Sequence, residues 1–66
     1  MEDLTPREKQ VITLLLKGYT NKEIGMELGI TANSVKKYLQ IIYQKLGVRT
    51  RLEAALLILK EGLLEE

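Results

Sequence analysis

Three residues, Gly29-Ile30-Thr31, separate two stretches of helical periodicity, and this join constrains the fold more than any other feature of the chain. So short a connection, with glycine at its first position, makes two helices cross steeply instead of running antiparallel. Gly29 can adopt the positive φ that ends the helix before it. Gly25 carries no side chain, so the following helix can approach closely. Ile24, Leu28, Ile30, Val35 and Tyr38 are then the apolar residues that fill the wedge. Small residue, turn glycine and apolar wedge together are the pattern of a helix-turn-helix, spanning about residues 20–46. An ordinary helical hairpin does not need both glycines.

Helix starts elsewhere are punctuated in the same way. Thr5 is followed by Pro6 at the first helical position and by Glu8 as its capping-box partner. Thr20 and Glu23 repeat the box, with Tyr19 and Ile24 as a hydrophobic staple. Thr31 caps a third helix, with Ile30 and Val35 as staple and Ser34 in place of the acid. Thr50 and Glu53 open a fourth, and Gly18, Gly29, Gly47 and Gly62 each fall near a helix end. These signals predict helices over Pro6–Leu16, Asn21–Leu28, Ala32–Leu46 and Arg51–Glu61, in an all-α, compact four-helix domain. The length of 66 residues accommodates one such domain, read as residues 1–66.

Composition removes several functions. With no Cys and no His, neither a disulfide nor a metal site is expected, and nucleophile–base chemistry has no usual carrier. There is no Gly-rich phosphate loop, and the acids sit at helix starts and on surfaces. The chain is therefore read as no enzyme, with no catalytic residue, no cofactor and no small-molecule ligand of its own. It lacks an 18-residue apolar run and a signal-peptide pattern, so it is read as soluble, cytoplasmic and without a membrane partner.

Charge points the other way, toward a polyanion. Net charge is only +1, yet from Leu28 to Leu52 there is no Asp or Glu while Lys36, Lys37, Lys45, Arg49 and Arg51 all fall there. A solvated helix face ordinarily mixes both signs; an acid-free one suits a polyanion such as double-stranded DNA. On the third helix Val35, Tyr38, Leu39, Ile42 and Leu46 recur at steps of three and four, and Asn33, Lys36, Lys37, Gln40 and Gln44 lie opposite. A helix in the major groove presents residues near its N-terminus to base edges. Lys36 and Gln40 share one stripe and Lys37 flanks it, so these three are the candidate base contacts. Lysine can donate to guanine O6 and N7, and the Gln amide matches adenine N6 and N7. Each lysine could instead serve a phosphate or simply be solvated. Thr20, Asn21 and Lys22, with Thr31 and Asn33, occupy helix starts where N–H groups favour an anion, and are candidate phosphate contacts together with Lys45.

The fourth helix is apolar on every side: Leu52, Ala54, Ala55, Leu56, Leu57, Ile58 and Leu59. Ala54, Leu57 and Ile58 are expected to pack inward. Leu52, Ala55, Leu56 and Leu59 then need cover, which a second copy supplies most simply.

Several strings together resemble a known family: Leu4-Thr5-Pro6-Arg7-Glu8, Asn21-Lys22-Glu23-Ile24-Gly25, Leu28-Gly29-Ile30, Ser34-Val35-Lys36 and Lys45-Leu46-Gly47-Val48. The series ends with the Arg51/Ala54 helix closing at Gly62-Leu63. In order and without a gap over residues 4–64, they are similar to the C-terminal DNA-binding domain of LuxR/FixJ-type (GerE-type) transcription regulators. The resemblance implies a four-helix bundle whose third helix reads DNA through the positions of Lys36, Lys37 and Gln40. It also implies a fourth helix that supports a homodimer on a two-fold operator, with RNA polymerase as a candidate further partner. Tyr38 stands where many members carry His; its hydroxyl can meet a phosphate, or its ring can join the core. A sensor or receiver would have to lie on another part of such a regulator. Two alternatives share parts of the pattern. One is a sigma-factor-like promoter-binding module, against which the apolar fourth helix argues. The other is a helical protein-interaction module that never touches DNA, against which salt-sensitive binding to duplex DNA would discriminate.

Overall fold

Each helix begins at a threonine in extended conformation whose hydroxyl oxygen accepts from the backbone N–H three residues on. The computed structural model describes residues 3–62; Leu63, the last residue of the fourth-helix motif, lies outside them. Its elements are α1 (Pro6–Leu16), α2 (Asn21–Leu28), α3 (Ala32–Leu46) and α4 (Arg51–Glu61), the bounds read from the caps and glycines. Thr5 and Thr20 both close full capping boxes, with Thr5 N donating to Glu8 Oε1 at 2.8 Å and Thr20 N to Glu23 Oε1 at 2.9 Å. The hydrogen bond from the Thr20 backbone holds the Glu23 carboxyl below its ordinary range. Thr31 has no acid to answer it, and its hydroxyl instead meets the Ser34 hydroxyl at 3.1 Å while accepting from Ser34 N at 3.0 Å.

The core is built on α1 and α3. Val11, Ile12, Leu14 and Leu15 from α1 meet Val35, Leu39, Ile42 and Leu46 from α3, joined by Ile24 of α2 and by Ala54 and Ile58 of α4. Burying each of the larger aliphatic side chains contributes roughly 1.5–3 kcal/mol. Ile12 is fully buried with Val11. Tyr38 and Leu57 are half-buried against this cluster, as is Tyr43, whose hydroxyl is pushed to a higher pKa by burial while the Arg51 cation pulls it back.

The join between α2 and α3 has a specific geometry. Gly29 takes φ +71° and ψ +31°, and its N–H and that of Ile30 both turn back to the Gly25 carbonyl, the latter at 2.9 Å. A Cβ on Gly25 would lie 2.6 Å from the Ile30 carbonyl oxygen and 3.2 Å from the Thr31 carbonyl carbon. Gly25 thus makes room for the turn backbone rather than for the body of α3. α4 packs on α1 and α3 but brings no Cα within 8 Å of α2.

Candidate nucleic-acid interface

α3 divides by its helical period. Val35, Leu39, Ile42 and Leu46 face the core, and this fixes Asn33, Lys36, Lys37, Gln40 and Gln44 on the exposed side. No acid stands on the helix to neutralise that side. Neither the Lys36 nor the Lys37 ammonium has an ion-pair partner among the described residues. The structure therefore leaves Lys36, Lys37 and Gln40 together on one solvent-facing stripe.

The expected phosphate set divides. Thr20, Lys22, Thr31 and Asn33 are exposed at the starts of α2 and α3. Thr20 and Thr31 are caps first, each accepting from a backbone N–H. Tyr38 is half-buried, with its ring packed on the core. Asn21, at the first position of α2, is half-buried with its Oδ1 already accepting from Arg51 Nη1 at 3.1 Å.

Lys45 takes another place. Its Nζ sits 2.8 Å from Glu8 Oε1, and the two side chains are only 18% and 5% exposed. It also reaches the Asp3 carbonyl at 3.4 Å. An ammonium folded against a buried carboxylate is not available to a phosphate, so this residue serves the α1–α3 packing instead. Burial raises the pKa of Glu8, but hydrogen bonds from Lys45 and the Thr5 backbone outweigh it and hold the carboxyl below its ordinary value.

Arg51 was counted with the basic block and is likewise turned inward. Nη1 donates to Asn21 Oδ1 and Nη2 to the Tyr19 carbonyl. One signal in the sequence could have found it: a cation in the first turn of a helix sits at the positive end of the dipole and needs a partner elsewhere. Nothing comparable marked Glu8, whose capping-box role explains it locally while its ion-pair partner is a lysine 37 residues away. With Lys45 and Arg51 internal, Lys36, Lys37 and Arg49 are the exposed cations left in the block, and Lys22 joins them from α2.

On α4, Ala54 and Ile58 are buried and Leu57 is half-buried. Leu52, Leu56 and Leu59 remain 68%, 58% and 68% exposed. Ala55, expected with them, is half-buried against the core, so the free apolar face is narrower than the sequence suggested.

Two helices joined by a glycine-closed turn, the second turning an acid-free basic face outward, define a helix-turn-helix DNA-binding domain. The chain belongs to the LuxR family of bacterial regulatory proteins, whose family model matches residues 2–58. It is 36% identical over 58 residues to YhjB of Escherichia coli (strain K12), named as an HTH-type transcriptional regulator, covering 88% of this chain and 29% of that protein. It is 47% identical over 51 residues to the HTH-type transcriptional regulator MalT of Yersinia pestis (strain Pestoides F), covering 77% of this chain and 6% of the relative. Among solved structures it is similar to the transcription factor GerE, with a TM-score of 0.86 and 35% identity over 96% of this chain and 94% of that one. The chain thus spans under a third of the length of YhjB and of MalT.

Proposed function

We propose that this domain binds double-stranded DNA sequence-specifically, with α3 in the major groove, and regulates transcription. Lys36, Lys37 and Gln40 address base edges, while Thr20, Asn21, Lys22, Thr31, Asn33 and Tyr38 engage phosphates on either side. The observation that carries this reading is the outer face of α3, where Lys36 and Lys37 have no ion-pair partner among the described residues and the helix carries no acid. Phosphate contacts supply affinity and register, and base-edge contacts supply sequence.

The exposed Leu52, Leu56 and Leu59, with Ala55 at their border, form the contact to a second copy. A two-fold pair places two α3 helices on an inverted repeat. So small a patch makes pairing weak without DNA. The regulator acts in the cytoplasm, with RNA polymerase as a further partner. This reading draws support from the relatives, each named for transcription.

Salt dependence tests the proposal. Affinity for duplex DNA, followed by fluorescence anisotropy, falls with rising salt with a log–log slope of about −0.9 per phosphate neutralised. Affinity unchanged between low and physiological salt means that the basic face is not a DNA surface, and favours a protein-interaction module.

A further inference from the structure

We infer that Arg51 is a positioning residue for DNA binding: it fixes which end of the Asn21 amide faces the DNA backbone. The inference rests on the proposed placement of Asn21 against a phosphate and goes beyond it by assigning the group that sets its orientation. α4 comes nowhere near α2 through its backbone, with no Cα pair within 8 Å. The Arg51 side chain crosses that gap and forks, Nη1 to Asn21 Oδ1 at 3.1 Å and Nη2 to the carbonyl of Tyr19, two residues earlier on the same approach to α2.

The chemistry leaves one orientation. A guanidinium carries only donors, so the amide oxygen of Asn21 must face it. The amide nitrogen then lies on the opposite side of the group, and it has no hydrogen-bond partner among the described residues. An NH2 turned outward donates to a phosphate oxygen; a carbonyl oxygen turned outward repels it. Without Arg51 the amide of Asn21 has no reason to choose, and half of its choices are unfavourable to an anion. The fork to Tyr19 O matters too, because it ties the guanidinium to the backbone and gives the Asn21 contact a fixed origin. Arg51 therefore acts through Asn21 while its own charge stays inside the domain.

The test compares the unaltered chain, Asn21→Ala, Arg51→Ala, Arg51→Lys and the double variants on a random-sequence duplex, where phosphate contacts dominate. Helicity and the binding-competent fraction of each are measured alongside. Asn21→Ala weakens binding by about three- to tenfold, the value of one hydrogen bond. Arg51→Ala weakens it less, by about twofold, because half of the amide orientations stay competent, and the double variant binds no worse than Asn21→Ala alone. The salt slope stays unchanged in Arg51→Ala, because no phosphate-bound cation is lost. Arg51→Lys, which keeps one donor, recovers most of the affinity when Asn21 is present and none when it is Ala. If Arg51→Ala fails to fold, Arg51→Met, which keeps the aliphatic stem and loses the donors, replaces it in both backgrounds. A slope reduced by about 0.9 places Arg51 itself on a phosphate and overturns the proposal. So do multiplying losses in the double variant, or full affinity in Arg51→Ala. Duplex binding by the unaltered chain that is absent or indifferent to salt overturns the DNA reading itself, and Arg51's role with it.

Discussion

Lys45 Nζ lies 2.8 Å from Glu8 Oε1, so the last turn of α3 is latched to the first turn of α1 across 37 residues of chain. The same carboxylate oxygen accepts from Thr5 N at 2.8 Å. One acid thus serves a helix cap and a tertiary ion pair at once.

Removing the lysine isolates the second of these roles. Lys45→Met leaves a buried carboxylate short of a donor and costs about 1–3 kcal/mol in urea unfolding. Its salt slope for DNA binding matches that of the unaltered chain, since the ammonium is engaged internally. Acid acts on the same latch. The Glu8 carboxyl is held below its ordinary value in the folded chain, so its contribution is present above the ordinary carboxyl range and is lost as the pH falls through the lowered folded value. Stability of the unaltered chain therefore declines as acid protonates this carboxyl, and the decline is shallower in Lys45→Met, measured as urea midpoints against pH.

Gly25 and Gly29 fail for different reasons when substituted. Gly25→Ala drives a Cβ to 2.6 Å from the Ile30 carbonyl, which is backbone and cannot swing aside. The turn must shift, at a cost of about 1–3 kcal/mol typical of overpacking. Gly29→Ala meets no atom within 4 Å but must hold φ +71°, a conformational cost of about 1–2 kcal/mol. Thermal unfolding of both variants measures these losses, and DNA affinity drops more for Gly25→Ala because the turn sets where α3 sits.

The turn was legible in the sequence because it rests on local chemistry. Gly29, Thr31 and the apolar spacing of α3 each state their geometry within a few residues, and so do the caps at Thr5, Thr20 and Thr50. The candidate base-reading stripe was legible for the same reason, since periodicity alone puts Lys36, Lys37 and Gln40 on the side of α3 away from Val35, Ile42 and Leu46. The fates of Lys45 and Arg51 were not. Both are cations in an acid-free block, and their partners, Glu8 and Asn21, are distant in sequence and already explained by helix starts. Pairings of that kind are set by how helices pack, which the local pattern does not encode.

Base reading is tested by Lys36→Ala. On a site selected from random duplex DNA it costs about 1–3 kcal/mol and relaxes discrimination at one position in each half-site. On non-selected DNA the loss is smaller. Equal losses on both targets mean that Lys36 holds a phosphate.

Pairing of two copies is tested by Leu56→Lys, which places a charge in a face whose native side chain is 58% exposed. Its helicity stays unchanged. Cooperative binding to an inverted repeat with half-sites about 34 Å apart is sharply reduced, while a single half-site is bound as before. Retained cooperativity in the folded variant rules out α4 as the contact.

The central claim, that the outer face of α3 meets DNA, is tested most directly by titrating the 15N-labelled domain with duplex DNA and mapping the amide shifts. The account predicts the largest changes at Lys36, Lys37 and Gln40, with a second group at Thr20, Asn21 and Lys22, and little change along α1. Shifts concentrated on α1 or on the leucine face of α4, with α3 undisturbed, would contradict it.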